Sequence, residues 1–109
     1  LEPDVSFMSK ARFAAGPAPV RGRFLGIVPD LAVEILSKST ARRDRGEKKD
    51  IYEQCGVIEY WIADPDRRVV TVYHLDEERY GAGERIRTGR IPSRVLPQLD
   101  LTVEDLFAD

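Results

Sequence analysis

Apolar and polar residues alternate in some stretches of the chain and cluster in others, and each pattern predicts its own kind of element. Pro3 to Ser9 alternates, with Val5 and Phe7 on one side and Asp4, Ser6 and Met8 on the other, which predicts a strand opened by Pro3. Val28 to Ser37 is a short aliphatic run bounded by Pro29 and by Ser37, Lys38 and Thr40. That pattern predicts a strand over about Leu31 to Ser37, buried on both faces. Glu34 interrupts the run, and a lone ionised carboxylate there costs several kcal/mol unless cations or hydrogen-bond donors meet it.

The next signal is helical. Asp44-Arg45-Gly46-Glu47 has the spacing of an N-cap with a reciprocal acid three residues on, and Gly56 suits the C′ position, so a helix is expected from about Arg45 to Gly56. Its apolar stripe is Ile51, Tyr52 and Cys55, with Glu47, Lys49, Asp50, Glu53 and Gln54 towards solvent. Extending the stripe back by three and four residues reaches Lys48, a second charge on an inward face.

Beyond the helix, Val57 to Ala63 and Val69 to Tyr73 carry strand signals around the turn sequence Asp64-Pro65-Asp66-Arg67-Arg68, which predicts a hairpin. Turns are expected at Asp76-Glu77-Glu78 and Gly81-Ala82-Gly83, short strands at Arg85 to Arg87 and Arg90 to Leu96, and a closing helix from Thr102 with Leu106 and Phe107 as anchors. Lys10 to Ala15 reads as a helical turn, and Gly16 to Arg23 as a loop in which Arg21 and Arg23 flank a glycine. The sum is a mixed α/β or α+β domain with one prominent helix after a central strand.

Composition narrows the function classes. The 109 residues allow one small domain, and the formal net charge of -2 excludes an overall basic, histone-like binder. One Cys and one His argue against disulfide frameworks, Cys or His zinc clusters and His-dependent triads, and point to a reducing, cytoplasmic setting. No apolar run reaches the ~20 residues of a membrane span.

Three charges remain placed for chemistry: Asp4 at an early strand, Glu34 in the buried strand and Lys48 on the inward helix face. Carboxylates from neighbouring strands suit Mg²⁺, which takes oxygen ligands and keeps several waters, and a lysine can steady charge developing on a phosphoryl group. This pattern suggests metal-dependent phosphodiester hydrolysis. The bland alternatives are a buried structural ion pair for Glu34 and Lys48 and a turn cap for Asp4. Tyr60 and Trp61 read as core, His74 and Cys55 as structural, and Arg42, Arg43 and Arg45 with Lys38 as either a solvated helix start or contacts to a phosphate backbone.

The run Val28 to Ser37, Ser39-Thr40, Asp44 to Lys48, Tyr52 and Gly56 to Pro65 closely resembles the Uma family of candidate bacterial restriction endonucleases, within the PD-(D/E)xK nuclease superfamily. The resemblance runs from Asp4 to Phe107. It implies a restriction-endonuclease-like core, a central mixed sheet flanked by helices, with Asp4 as the first metal-binding acid, Glu34 as the second, and the backbone carbonyl of Ile35 as a further ligand for Mg²⁺, with Mn²⁺ able to substitute. Leu36 stands where the superfamily pattern has its lysine. The resemblance implies that Lys48 has taken that role from the helix, with Tyr52 one turn further along the same face. Lys38 would lie roughly 13 Å from Glu34 along a strand, too far for the role. Asp30 is an auxiliary candidate, as a metal or water ligand or as the residue that fixes the strand's opening. Members of the family carry a helix and strand before the position of Asp4, so the expectation is a chain lacking that part, with an exposed sheet edge that favours a homodimer. The expected activity is Mg²⁺-dependent DNA endonuclease. The alternative is a catalytically inactive member acting as a nucleic-acid-binding or protein-interaction module.

Overall fold

A computed structural model describes residues 4–9, 28–36 and 41–108, with the backbone alone for 41–45. The helical turn expected at Lys10 to Ala15, the loop with Arg21 and Arg23, and Lys38 lie outside the described residues. The order of elements is β1 (Val5–Phe7), β2 (Leu31–Ile35), α1 (Ala41–Cys55), β3 (Glu59–Asp64), β4 (Val69–His74), β5 (Glu84–Ile86) and α2 (Val103–Leu106). The strands form one five-stranded sheet in sequence order. Among the described residues only β2 and β3 run parallel, the long crossover between them carrying α1, while the other described pairs are antiparallel. The α+β class and mixed sheet read from the sequence are those observed.

Alternation along the strands divides the interior in two. Ala32, Tyr60 and Ile62 face α1 and pack with Tyr52, Cys55, Val57 and Tyr80. Leu31, Val33, Trp61, Ala63, Val70 and Val72 face the other way and are covered by Ile91, Val103 and the residues around them. β2 therefore carries an apolar sequence because both its faces are packed, and Tyr60 and Trp61 are core residues on opposite sides.

Two local expectations need correction. The helix starts at Ala41, so Asp44 lies inside its first turns and is not its N-cap. The capping-box spacing was present, but the helical backbone continues four residues further back. The end is as read. Gly56 adopts φ +81, its amide bonds to Glu53 O and that of Val57 to Tyr52 O, the paired bonds of a Schellman motif. The second correction concerns Arg90 to Leu96, which forms no strand; Arg90 alone makes an isolated bridge, to Thr102. Pro92 and Pro97 cannot donate to a ladder, and the amides of Arg94 and Val95 go to the carboxylate of Glu59. The closing helix is capped by Thr102, whose hydroxyl accepts from Asp105 N while the Asp105 carboxylate accepts from Thr102 N. Among the described residues no helix is long and apolar enough to cross a membrane.

Candidate active site

Glu34 is 4 % exposed and projects from β2 towards α1. The helix meets it with two donors one turn apart. Tyr52 Oη donates to Oε1 at 3.0 Å, and Lys48 Nζ lies 3.3 Å from Oε2. Residues i and i+4 share a helix face, so a helix packed over β2 delivers both together. The Lys48 side chain is 30 % exposed, so this end of the arrangement is open to water while Tyr52 is fully buried.

Asp4 arrives from the other side. Val5 pairs with Val33 in the antiparallel register of β1 and β2, which puts Asp4 opposite Glu34. Its Oδ2 accepts the Ile35 amide at 2.7 Å. Two carboxylates thus stand on neighbouring strands. Burial raises the Glu34 pKa above its ordinary value, and the negative charge of Asp4 adds to that, while the Tyr52 hydrogen bond and the Lys48 ammonium oppose it. Burial and the Glu34 charge push the Tyr52 hydroxyl up as well, which keeps it a proton donor.

The structure therefore brings together Asp4, Glu34, Ile35, Lys48 and Tyr52. Asp30 stands at the opening of β2, four residues or roughly 13 Å from Glu34. There its Oδ2 accepts Ser9 N at 2.6 Å, its amide donates to Phe7 O and its carbonyl accepts Glu59 N. Those bonds tie the start of β2 to both neighbouring strands. Arg42, Arg43 and Arg45 lie on the first turns of α1, with only their backbone described.

Among the described residues no group of three or more His, Cys, Asp and Glu comes together. The donor set at Glu34 is instead two carboxylates with the adjacent Ile35 carbonyl, all oxygen. Such a set fits a hard divalent cation that keeps part of its water shell, and the repulsion between Asp4 and Glu34 is what a bound cation would relieve.

Sequence reasoning missed a second buried acid. Glu59, with no exposed surface, accepts from Trp61 Nε1 at 2.8 Å, Ser93 Oγ at 2.7 Å and the amides of Arg94 and Val95 at 2.7 and 3.1 Å, and His74 Nε2 lies 3.2 Å away. The signal was present, since Glu59 has the same parity as the core residue Trp61, but apart from Trp61 its donors, on Ser93, Arg94 and Val95, lie more than 30 residues away in sequence.

The mixed sheet crossed by α1 defines an α+β fold. A crystal structure described as "a putative nuclease belonging to DUF820 from Anabaena variabilis ATCC 29413" matches with a TM-score of 0.72 and 24% identity, over 97% of this chain and 59% of that one. The sequence pattern of the Uma2 family, described as "Putative restriction endonuclease", matches residues 1–104, and the chain belongs to that family. No curated protein matches it significantly.

Proposed function

We propose that the chain is a Mg²⁺-dependent endonuclease that hydrolyses phosphodiester bonds in DNA. The observation that carries the reading is the pair of carboxylates, Asp4 and Glu34, on adjacent strands, with the Lys48 ammonium 3.3 Å from one of them and partly open to water. Family membership supports the same reading. Asp4, Glu34 and the Ile35 carbonyl would hold the cation, and Mn²⁺ would substitute. When bound, it supplies Lewis-acid stabilisation of charge on the phosphoryl oxygens. Lys48 contributes a fixed positive charge beside the same group, and Tyr52 holds the Glu34 carboxylate in place from the dry side. Val5 and Phe7 are exposed on the β1 edge, which suits pairing with a second copy so that two strands are cut by a dimer.

A second reading has its own observation. Glu34 already has a partner on each oxygen, and Asp4 is engaged with the Ile35 amide, which is how a catalytically inactive member would keep its fold.

Cleavage of supercoiled plasmid with Mg²⁺ tests the choice. Glu34→Ala is expected to lower the rate by about 1,000-fold and Lys48→Ala by about 100-fold, the scale of removing one preorganised electrostatic group. Nicking that is unchanged in both variants would sink the assignment. Light scattering of the eluted protein reads the dimer independently.

A further inference from the structure

The row of residues across the sheet at Glu34 continues beyond the site. Glu34 pairs in register with Ile62 on β3, Ile62 with Thr71 on β4 and Thr71 with Arg85 on β5. These side chains share the α1 face, but past Tyr73 no helix among the described residues covers them, and an open groove results. Its floor is Leu36, Ile62 and Thr71, with Arg67, Arg85 and Arg87 among its lining residues. Leu36 is two residues from Glu34, so one end of the groove meets the site. Lys49 adds a further cation at its helix side, with Nζ 4.7 Å from the centre of the Tyr73 ring, which also lines the groove.

Four cations from three separate elements thus border the groove: Lys49 from α1, Arg67 from the β3–β4 turn, and Arg85 and Arg87 from β5 and the residue just past it. The acid lining the groove, Asp64, is already engaged. Its Oδ1 accepts the amides of Asp66 and Arg67, and its Oδ2 lies 4.0 Å from Arg67 Nε. In a chain of net charge -2 this concentration of positive charge calls for an anion. The cations are strung out along the groove and do not close on one point. At ~4.8 Å per strand, Arg85 stands about 14 Å from Glu34, farther than one phosphate group can bridge. That spacing favours a polyanion over a single phosphate.

We propose that this groove is a track for the phosphodiester backbone of DNA, in which Arg85 and Arg87 hold phosphates on one side of the scissile group and lead the strand over β5 to Glu34 and Lys48. The track deepens the nuclease reading and rests on it for the direction of the strand. It assigns contacts to residues far in sequence from the arginines of α1.

Anisotropy of a fluorescein-labelled 20-base-pair duplex, titrated with the chain in EDTA across a salt series, tests the track without any cleavage. The double variant Arg85→Ala/Arg87→Ala is expected to bind at least tenfold more weakly at low salt and to lose about 2 from the slope of log K against log salt, about 0.9 for each phosphate contact. The Lys/Lys variant should retain the slope. Arg94→Ala removes an exposed charge whose main chain faces Glu59 on the opposite side of the sheet, and it should leave the slope unchanged. An unaltered slope in the double alanine variant, an equal fall in Arg94→Ala, or no duplex binding by the parent would overturn the track. Plasmid cleavage with Mg²⁺ separates the two readings. Groove-dependent binding by a protein that never cleaves keeps the track and defeats the nuclease, whereas cleavage and binding that both ignore Arg85 and Arg87 defeat the track and keep the nuclease.

Discussion

Glu34 and Glu59 are both buried glutamates on adjacent parallel strands, yet they sit in opposite kinds of surroundings. Glu59 points away from α1 and is met by four hydrogen bonds, two of them from the backbone of the 93–95 segment, with His74 Nε2 alongside. Glu34 points towards α1 and is met by two side chains from a single helix, one of them partly in water, with the like charge of Asp4 beside it. Burial alone does not separate an acid saturated by donors from one left partly uncompensated. The number, rigidity and sign of its neighbours do. At Glu59 the donors on both carboxylate oxygens organise a loop, whereas at Glu34 a pKa raised by burial and by Asp4 records compensation left incomplete.

The comparison can be broken at either acid. The largest effect should come from Glu59→Ala, which strands Trp61 Nε1, Ser93 Oγ and the part-buried amides of Arg94 and Val95. A loss of about 4 kcal/mol in urea unfolding is expected, and a loss below about 1 kcal/mol would show that the clamp does not hold the 93–95 segment. Tyr52→Phe removes one hydrogen bond to a charged acceptor and should cost about 2 kcal/mol, with the variant's Glu34 pKa displaced further upward. Side-chain carboxyl NMR reads that displacement, and an unshifted Glu34 would contradict the role given to Tyr52.

The smallest effect has the opposite sign. Because the Glu34 pKa is raised, the folded state holds the proton more tightly than the unfolded chain does between the ordinary 4.5 and the raised value. The stability Glu34 contributes is therefore fully present below 4.5 and is lost as pH rises through the folded pKa. Glu34→Gln should accordingly gain about 1 kcal/mol at pH 7, or about 4 °C in Tm for a domain of this size. In EDTA the gain should fade as the pH is lowered towards 4.5. A loss at pH 7 would mean that the ion pair with Lys48 is a net stabiliser and that Glu34 resembles Glu59 after all. The same substitution at Glu59 is expected to be destabilising, because an amide nitrogen would then face donors that now point at a carboxylate oxygen.

Much of the site was legible because its parts are local. An aliphatic run interrupted by one charge identified Glu34, and helical periodicity placed Lys48 and Tyr52 on one face. Gly56 marked the end of α1 because only a residue at ease with positive φ closes a helix that way. The start of α1 was misread because Asp44 and Glu47 mimic a capping box, and backbone hydrogen bonding through 41–43 outweighed that local signal. Arg90 to Leu96 was misread as a strand because its true partner, the Glu59 carboxylate, lies over 30 residues upstream.

The class of the fold, the β2–α1–β3 unit and the two charges that meet within it follow from local residue patterns, since these depend on period, capping and short connections. It took the tertiary packing to put Asp4 opposite Glu34, to make Glu59 a saturated clamp, and to bring Arg67, Arg85 and Arg87 into one groove with Tyr73, over whose ring Lys49 lies. Each of those facts depends on the register of one strand against another, and register is fixed by the joint packing of both sheet faces, which no single stretch of residues encodes.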